Sequence, residues 1–113
     1  MADVAATMVP TLVTGSAIDR TQIDRIVLRP SSNVQDTTME GETVLLDLSS
    51  GRYYTLNQLG SVIWEHCTGH TILRDIHTVL CDRFDVAPER ALDDLVNLVN
   101  ELIQEGLLQQ EGR

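Results

Sequence analysis

The chain has 113 residues, is 42% hydrophobic and 22% charged, and so has room for one globular domain with a modest core. Its formal net charge of -9, from 8 Lys and Arg against 17 Asp and Glu, argues against nucleic acid and anionic membrane as partners, because both need clustered cations. The opening MADVAATMVPTLVTGSAIDR lacks the basic start and sustained apolar run of a secretion signal, and no segment reaches the roughly 18 apolar residues of a membrane span. Cys67 and Cys81 fit reduced thiols better than a disulfide framework, so the protein is expected to be cytoplasmic.

Residues 1–25 show no clear period and are expected to form a flexible N-terminal arm, with the folded domain over residues 26–110. Pro30, Ser31, Ser32 and Asn33 mark a turn, and a first strand is expected at 34–39. Glu40 and Gly41 read as a short hairpin connection, since glycine accepts the positive φ such turns demand. Residues 43–48 alternate, with Val44, Leu46 and Leu48 on one face and Thr43, Leu45 and Asp47 on the other, as a central strand does. Ser49, Ser50 and Gly51 turn the chain into a third strand at 52–56, rich in types that suit a pleated surface. As the last strand of a meander, it should lie at a sheet edge.

From Asn57 the period becomes helical. Asn57 is a suitable N-cap, Leu59, Ile63 and Trp64 supply an inward stripe, and Thr68 and Gly69 stop the helix. Thr71 is expected to cap a second helix with Ile72, Ile76, Leu80 and Phe84, together with Leu73, on one side. A third helix should start at Pro88 and end before Gly106, its stripe centred on Leu92, Leu95, Val99 and Leu102, with Val96 and Ile103 on one flank and Leu98 on the other. The order implies an α+β fold, a three-stranded antiparallel sheet followed by three helices packed on one face, of winged helix-turn-helix type.

Few residues suggest chemistry. His66, Cys67, His70, His77 and Cys81 lie close together, and His77 and Cys81 are four apart, but neither CxxC nor HExxH accompanies them and buried cysteine is common, so no metal is expected. With no GxSxG elbow, phosphate loop or dinucleotide fingerprint, neither an enzyme nor a cofactor is expected. The turn between Phe84 and Pro88 suits a winged-helix transcription regulator, the alternative reading. Yet the last helix carries Glu89, Asp93, Asp94, Glu101 and Glu105 against Arg90 alone, which would repel phosphates. The strand at 52–56 offers another possibility. Apart from Arg52 it carries none of the charges or prolines that guard exposed edges, so a partner strand can pair there.

The stretch GETVLLDLSSGRYYTLNQLGSVIWEHCTG resembles the PqqD family, named for coenzyme PQQ synthesis protein D, through VLLDL, Gly51 to Tyr54, Leu56 and Asn57, Gly60, and Ile63 with Trp64. Thr71, Ile76, the Phe84, Asp85, Val86 helix end, Asp94 and the Glu105 to Leu108 ending extend the resemblance over residues 34–108. It implies a recognition element that binds the leader of a ribosomally made precursor peptide and presents the core to a protease, cyclase or radical enzyme, as in lasso-peptide or PQQ pathways. The implied leader adds as a strand beside Arg52, Tyr53, Tyr54, Thr55 and Leu56 and packs on the third helix, at an edge taken here as Val96, Asn100 and Ile103 with Asp93 on the rim, in preference to Leu98. An open edge also permits a homodimer.

Overall fold

A computed structural model of the protein describes residues 18–111. The strands are β1 (Leu28–Pro30), β2 (Val34–Met39), β3 (Glu42–Asp47), β4 (Tyr53–Leu56) and β5 (Leu108–Gln110), and the helices are α1 (Gln58–His66), α2 (Leu73–Arg83) and α3 (Pro88–Gln104). The fold is α+β: β2, β3 and β4 form a three-stranded antiparallel sheet with β3 central, and the three helices follow it. None of the helices among the described residues is long and apolar enough to cross a membrane.

Local chemistry sets most of the boundaries. Met39 pairs with Glu42 across a two-residue turn in which Glu40 and Gly41 have φ of 55° and 82°, the left-handed pair that matches the twist of a hairpin. Between β3 and β4 the carboxylate of Asp47 accepts bonds from the Ser49 amide and from the Ser49 and Ser50 hydroxyls, at 3.0, 2.8 and 3.0 Å. These bonds favour the charged form and hold the Asp47 pKa below its ordinary value, those from Ser49 contributing most. Asn57 caps α1 by accepting the Gly60 amide at 2.8 Å, and Pro88 opens α3.

The core is built from Leu73, Ile76 and Leu80 of α2 and Ala91, Leu95, Leu98, Val99 and Leu102 of α3, all buried in one cluster with Leu45, Leu56 and Ile63, and α1 is the helix that lies against β3 and β4. Each such leucine contributes roughly 1.5–3 kcal/mol by leaving water. On β3 the face turned inward is that of Thr43 and Leu45, both at 0% exposure, whereas Val44 and Leu48 are 42% and 52% exposed. The face that carries Val44, Leu46 and Leu48 is therefore the outer one. Thr43 is tolerated inside because its hydroxyl pairs with that of Thr38 at 2.8 Å, so the alternation of β3 hides a polar residue on its buried side.

Two further features differ from expectation. A second sheet, β1 paired antiparallel with β5, joins residues about eighty positions apart and places Leu28 and Leu108 in the core. Thr71 does not cap α2: its N-cap is Ile72, without a side-chain bond, and the free amides of Leu73 and Arg74 donate to the carbonyls of Ile26 and Ile23, each at 2.9 Å. The expected arm over residues 1–25 lies outside the described residues up to residue 17. From Ile18 onward the chain is packed, with Ile18 4% exposed and a short 3-10 turn at Arg20–Gln22 capped by Asp19.

Candidate functional site

In the sheet order β2, β3, β4, strand β4 has no second partner among the described residues. The Asp47 amide donates to the Arg52 carbonyl at 2.8 Å, which fixes the alternation that follows: Arg52, Tyr54 and Leu56 turn their backbone groups to β3, while Tyr53 and Thr55 turn theirs outward. The open edge therefore presents two N–H and two C=O groups. Tyr53 is 72% exposed on the outer sheet face, Tyr54 is half-buried on the inner face, and Leu56 is buried.

The start of β4 is tied to the end of α3. The Tyr54 hydroxyl donates to Glu105 Oε1 at 2.9 Å, and Arg52 Nη1 lies 3.5 Å from the same oxygen. Burial raises the Tyr54 pKa above its ordinary value, and its bond to the Glu105 carboxylate raises it further, so the phenol stays a donor at neutral pH. At the other end of β4, a depression of about 270 Å³ opens between the strand, the start of α1 and α3, lined by Leu56, Asn57, Leu59 and Gly60 on one side and Arg90, Asp94, Asn97 and Leu98 of α3 on the other. Gly60 permits this junction, because a Cβ there would stand 3.3 Å from Leu98 Cδ2, Leu56 Cβ and Asn57 Oδ1. The result is a trough between the end of β4 at Leu56, the start of α1 and one side of α3, next to the open strand edge.

Tyr53, Tyr54, Thr55 and Leu56 form β4 and Arg52 immediately precedes it, whereas three of the helix residues named with them line another depression. Asp93, Val96 and Asn100 line a second, more open depression with the strap of Ile18, Asp19 and Arg20, and Asn97 borders both depressions. There the Asn100 side chain accepts the Ile18 amide at 2.8 Å and donates to the Ile18 carbonyl at 2.9 Å, while Arg20 pairs with Asp93 at 2.7 Å. Ile103 is partly buried against the core. The α3 residues that line the trough are Arg90, Asp94, Asn97 and Leu98; of these Asn97 is the shared one, and Leu98 is the flank not chosen from sequence.

Residues 42–108 match the family described as Coenzyme PQQ synthesis protein D (PqqD). The chain belongs to the PqqD family. The matched span begins with β3 and closes on β5, and so takes in both walls of the trough. Among solved structures, the chain is similar to "TbiB1 in Complex with the TbiA(beta) Leader Peptide", with a TM-score of 0.67, 26% identity, and 75% of this chain and 99% of that chain covered. It also shares its fold with "Lasso peptide synthetase B1 complexed with the leader peptide", at a TM-score of 0.66 and 24% identity, over 73% of this chain and 96% of that one. A comparison with curated proteins finds no match.

The side chains suggest little else in this PqqD-family domain. Burial pushes the Cys67 thiol up to about 12, which leaves it almost wholly protonated and a poor nucleophile. His77 Nε2 lies 2.8 Å from the Pro88 carbonyl and 3.6 Å from Cys81 Sγ, which ties α2 to the start of α3. Among the described residues no three His, Cys, Asp or Glu side chains gather as a metal site would require.

Proposed function

We propose that this chain is a non-catalytic recognition protein for the leader segment of a ribosomally synthesised precursor peptide, and that the leader adds as a strand to β4. The observation that carries this reading is the open edge of β4, faced across a trough by α3, in a PqqD-family domain similar to two structures holding leader peptides. The fold is used as a winged-helix-type scaffold for a peptide rather than for DNA. The protein works in the cytoplasm beside a modifying enzyme of the same pathway.

Energetics divide the work between the two walls. Four outward backbone groups give about four hydrogen bonds, each about 0.5–1.5 kcal/mol net, whereas micromolar affinity corresponds to about 8 kcal/mol. The peptide also loses conformational freedom as it orders. Apolar leader side chains entering between Tyr54, Leu56, Leu59 and Leu98 supply the balance at roughly 25 cal/mol per Å². In this account the Leu98 edge of α3 replaces the Val96 edge as the helix wall. A bound leader then raises the local concentration of its core at the partner enzyme.

The test is titration of the full chain with the labelled leader of the short precursor peptide encoded beside its gene. Saturable binding that shifts the amide resonances of Tyr53 and Thr55 is expected. Binding that leaves β4 unperturbed, or no binding, would overturn the reading.

A further inference from the structure

The outer face of the three-stranded sheet is out of keeping with the rest of the surface. Met39 on β2, Val44 and Leu48 on and just after β3, and Tyr53 on β4 are exposed, and Leu46 is half-buried. The register gathers them: Leu46 lies opposite Tyr53, and Val44 stands between Thr37 and Thr55. Among the outward side chains of the three strands only Glu42, beside the hairpin turn, is charged, in a chain with a net charge of -9. Scattered apolar side chains on a surface are ordinary, whereas a contiguous set on one face marks an interaction site. The central strand also reads as one covered on both sides, with Val44, Leu45 and Leu46 in succession, although only Leu45 of the three is fully buried.

Size and charge decide what kind of cover fits. About six residues at roughly 3.3 Å along the strands, and about three strands at roughly 4.8 Å, give a face of roughly 20 by 14 Å. Even with its side-chain relief, that is well below the about 800 Å² that each partner gives to a stable interface, and two chains of charge -9 repel, so a second copy of this chain fits poorly. A leader paired with β4 removes the difficulty of size for a different protein. It adds a fourth strand whose outward side chains continue the face next to Tyr53 and Thr55. It also ties the chain to an enzyme that holds the core of the same peptide, and at the resulting effective concentration a small patch suffices.

We propose that the outer face of the sheet is the docking surface for the enzyme that modifies the bound peptide, and that this enzyme meets it with an apolar patch edged by basic residues. The proposal rests on the leader-binding reading of β4 and adds the surface for the second protein. Val44, Leu46 and Leu48 supply the apolar centre, and Glu40 and Glu42 at the hairpin tip call for the basic rim. Docking is strongest with a leader in place, since only the loaded chain offers four strands. The enzyme therefore engages loaded chains in preference to empty ones.

The experiment compares the full chain with its double variant Val44→Lys, Leu48→Lys, both changes lying on the outer face and off the β4 edge. The probes are the labelled leader and the purified modifying enzyme encoded beside the gene, the enzyme being titrated with each chain alone and with each chain preloaded with leader. Leader affinity should change less than about twofold, while affinity of the loaded chain for the enzyme should fall at least about tenfold. The pair Val44→Thr, Leu48→Thr, neutral and β-prone, should lose at least about threefold and decides the comparison if the lysines disturb the sheet. Equal enzyme binding by the unaltered chain and the variants, enzyme binding by none of them, or loss of leader binding in both variants overturns the proposal. A concentration-dependent dimer of the unaltered chain that the variants do not form also overturns it and assigns the face to a second copy. A leader that fails to bind the unaltered chain sinks the leader-binding reading, and the enzyme titrations without leader then decide the docking face by the same comparison.

Discussion

The two long edges of α3 carry similar residues and have opposite fates. On one, Asp93, Val96 and Asn100 lie under Ile18, Asp19 and Arg20, with the Asn100 amide spent on both backbone groups of Ile18. On the other, Asp94 and Leu98 line an open trough with Leu56 and the start of α1, and Asn97 stands between the two depressions. A polar residue flanking an apolar stripe therefore does not by itself mark a binding surface. What decides is whether the chain's own backbone already satisfies it.

The sharpest test of that contrast pairs one substitution from each edge. Leu59→Asp places a charge on the trough wall at a half-buried position and should weaken leader binding about 100-fold, or about 2.7 kcal/mol, in fluorescence titration. Val96→Asp, on the strapped edge, should change it less than about twofold. If Val96→Asp has the larger effect, the strapped edge is the leader's wall after all. Thr55→Pro comes next. It removes an N–H that points outward and leaves the bonds to β3 in place, so affinity should fall about tenfold while thermal stability changes little.

Asn100→Ala probes the closed edge through stability. It strips both partners from the Ile18 backbone, and chemical denaturation should show a loss of about 1–3 kcal/mol. The Arg20 and Asp93 pair, with both side chains about half exposed, should contribute no more than about 1 kcal/mol.

What the sequence made legible was local. The Glu40 and Gly41 turn, the Asn57 cap and the Pro88 start each depend on residues within a few positions, and strands β2 and β4 and helix α3 follow from them. The hidden features come from distant pairings. Nothing near Leu28 announces that it pairs with Gln110, or that the carbonyls of Ile23 and Ile26 cap α2 in place of Thr71. The face of β3 was hidden for another reason: Val44, Leu45 and Leu46 are all apolar, and Thr43 is buried only because Thr38 lies across from it. The open edge of β4 was legible because an edge follows from strand order. The cover over Asp93 and Asn100 was not, because the strap that supplies it contacts α3 from more than seventy positions away.

The smallest expected effect concerns the turn that holds β4 in register. The Asp47 pKa is lowered in the folded protein, so its contribution to stability is present above the unfolded value of about 3.9 and is lost as pH falls through the folded value. Protonation removes the charge that the Ser49 amide and hydroxyl bond to, and the turn between β3 and β4 loosens. Thermal melts at pH 7 and pH 3 should therefore show a smaller acid-induced drop for Asp47→Asn than for the unaltered chain. Leader binding, which needs Tyr53 and Thr55 presented together, should weaken over the same low-pH range. An unchanged acid response in the variant would mean that the Ser49 and Ser50 bonds matter to the local geometry of the turn and not to its stability.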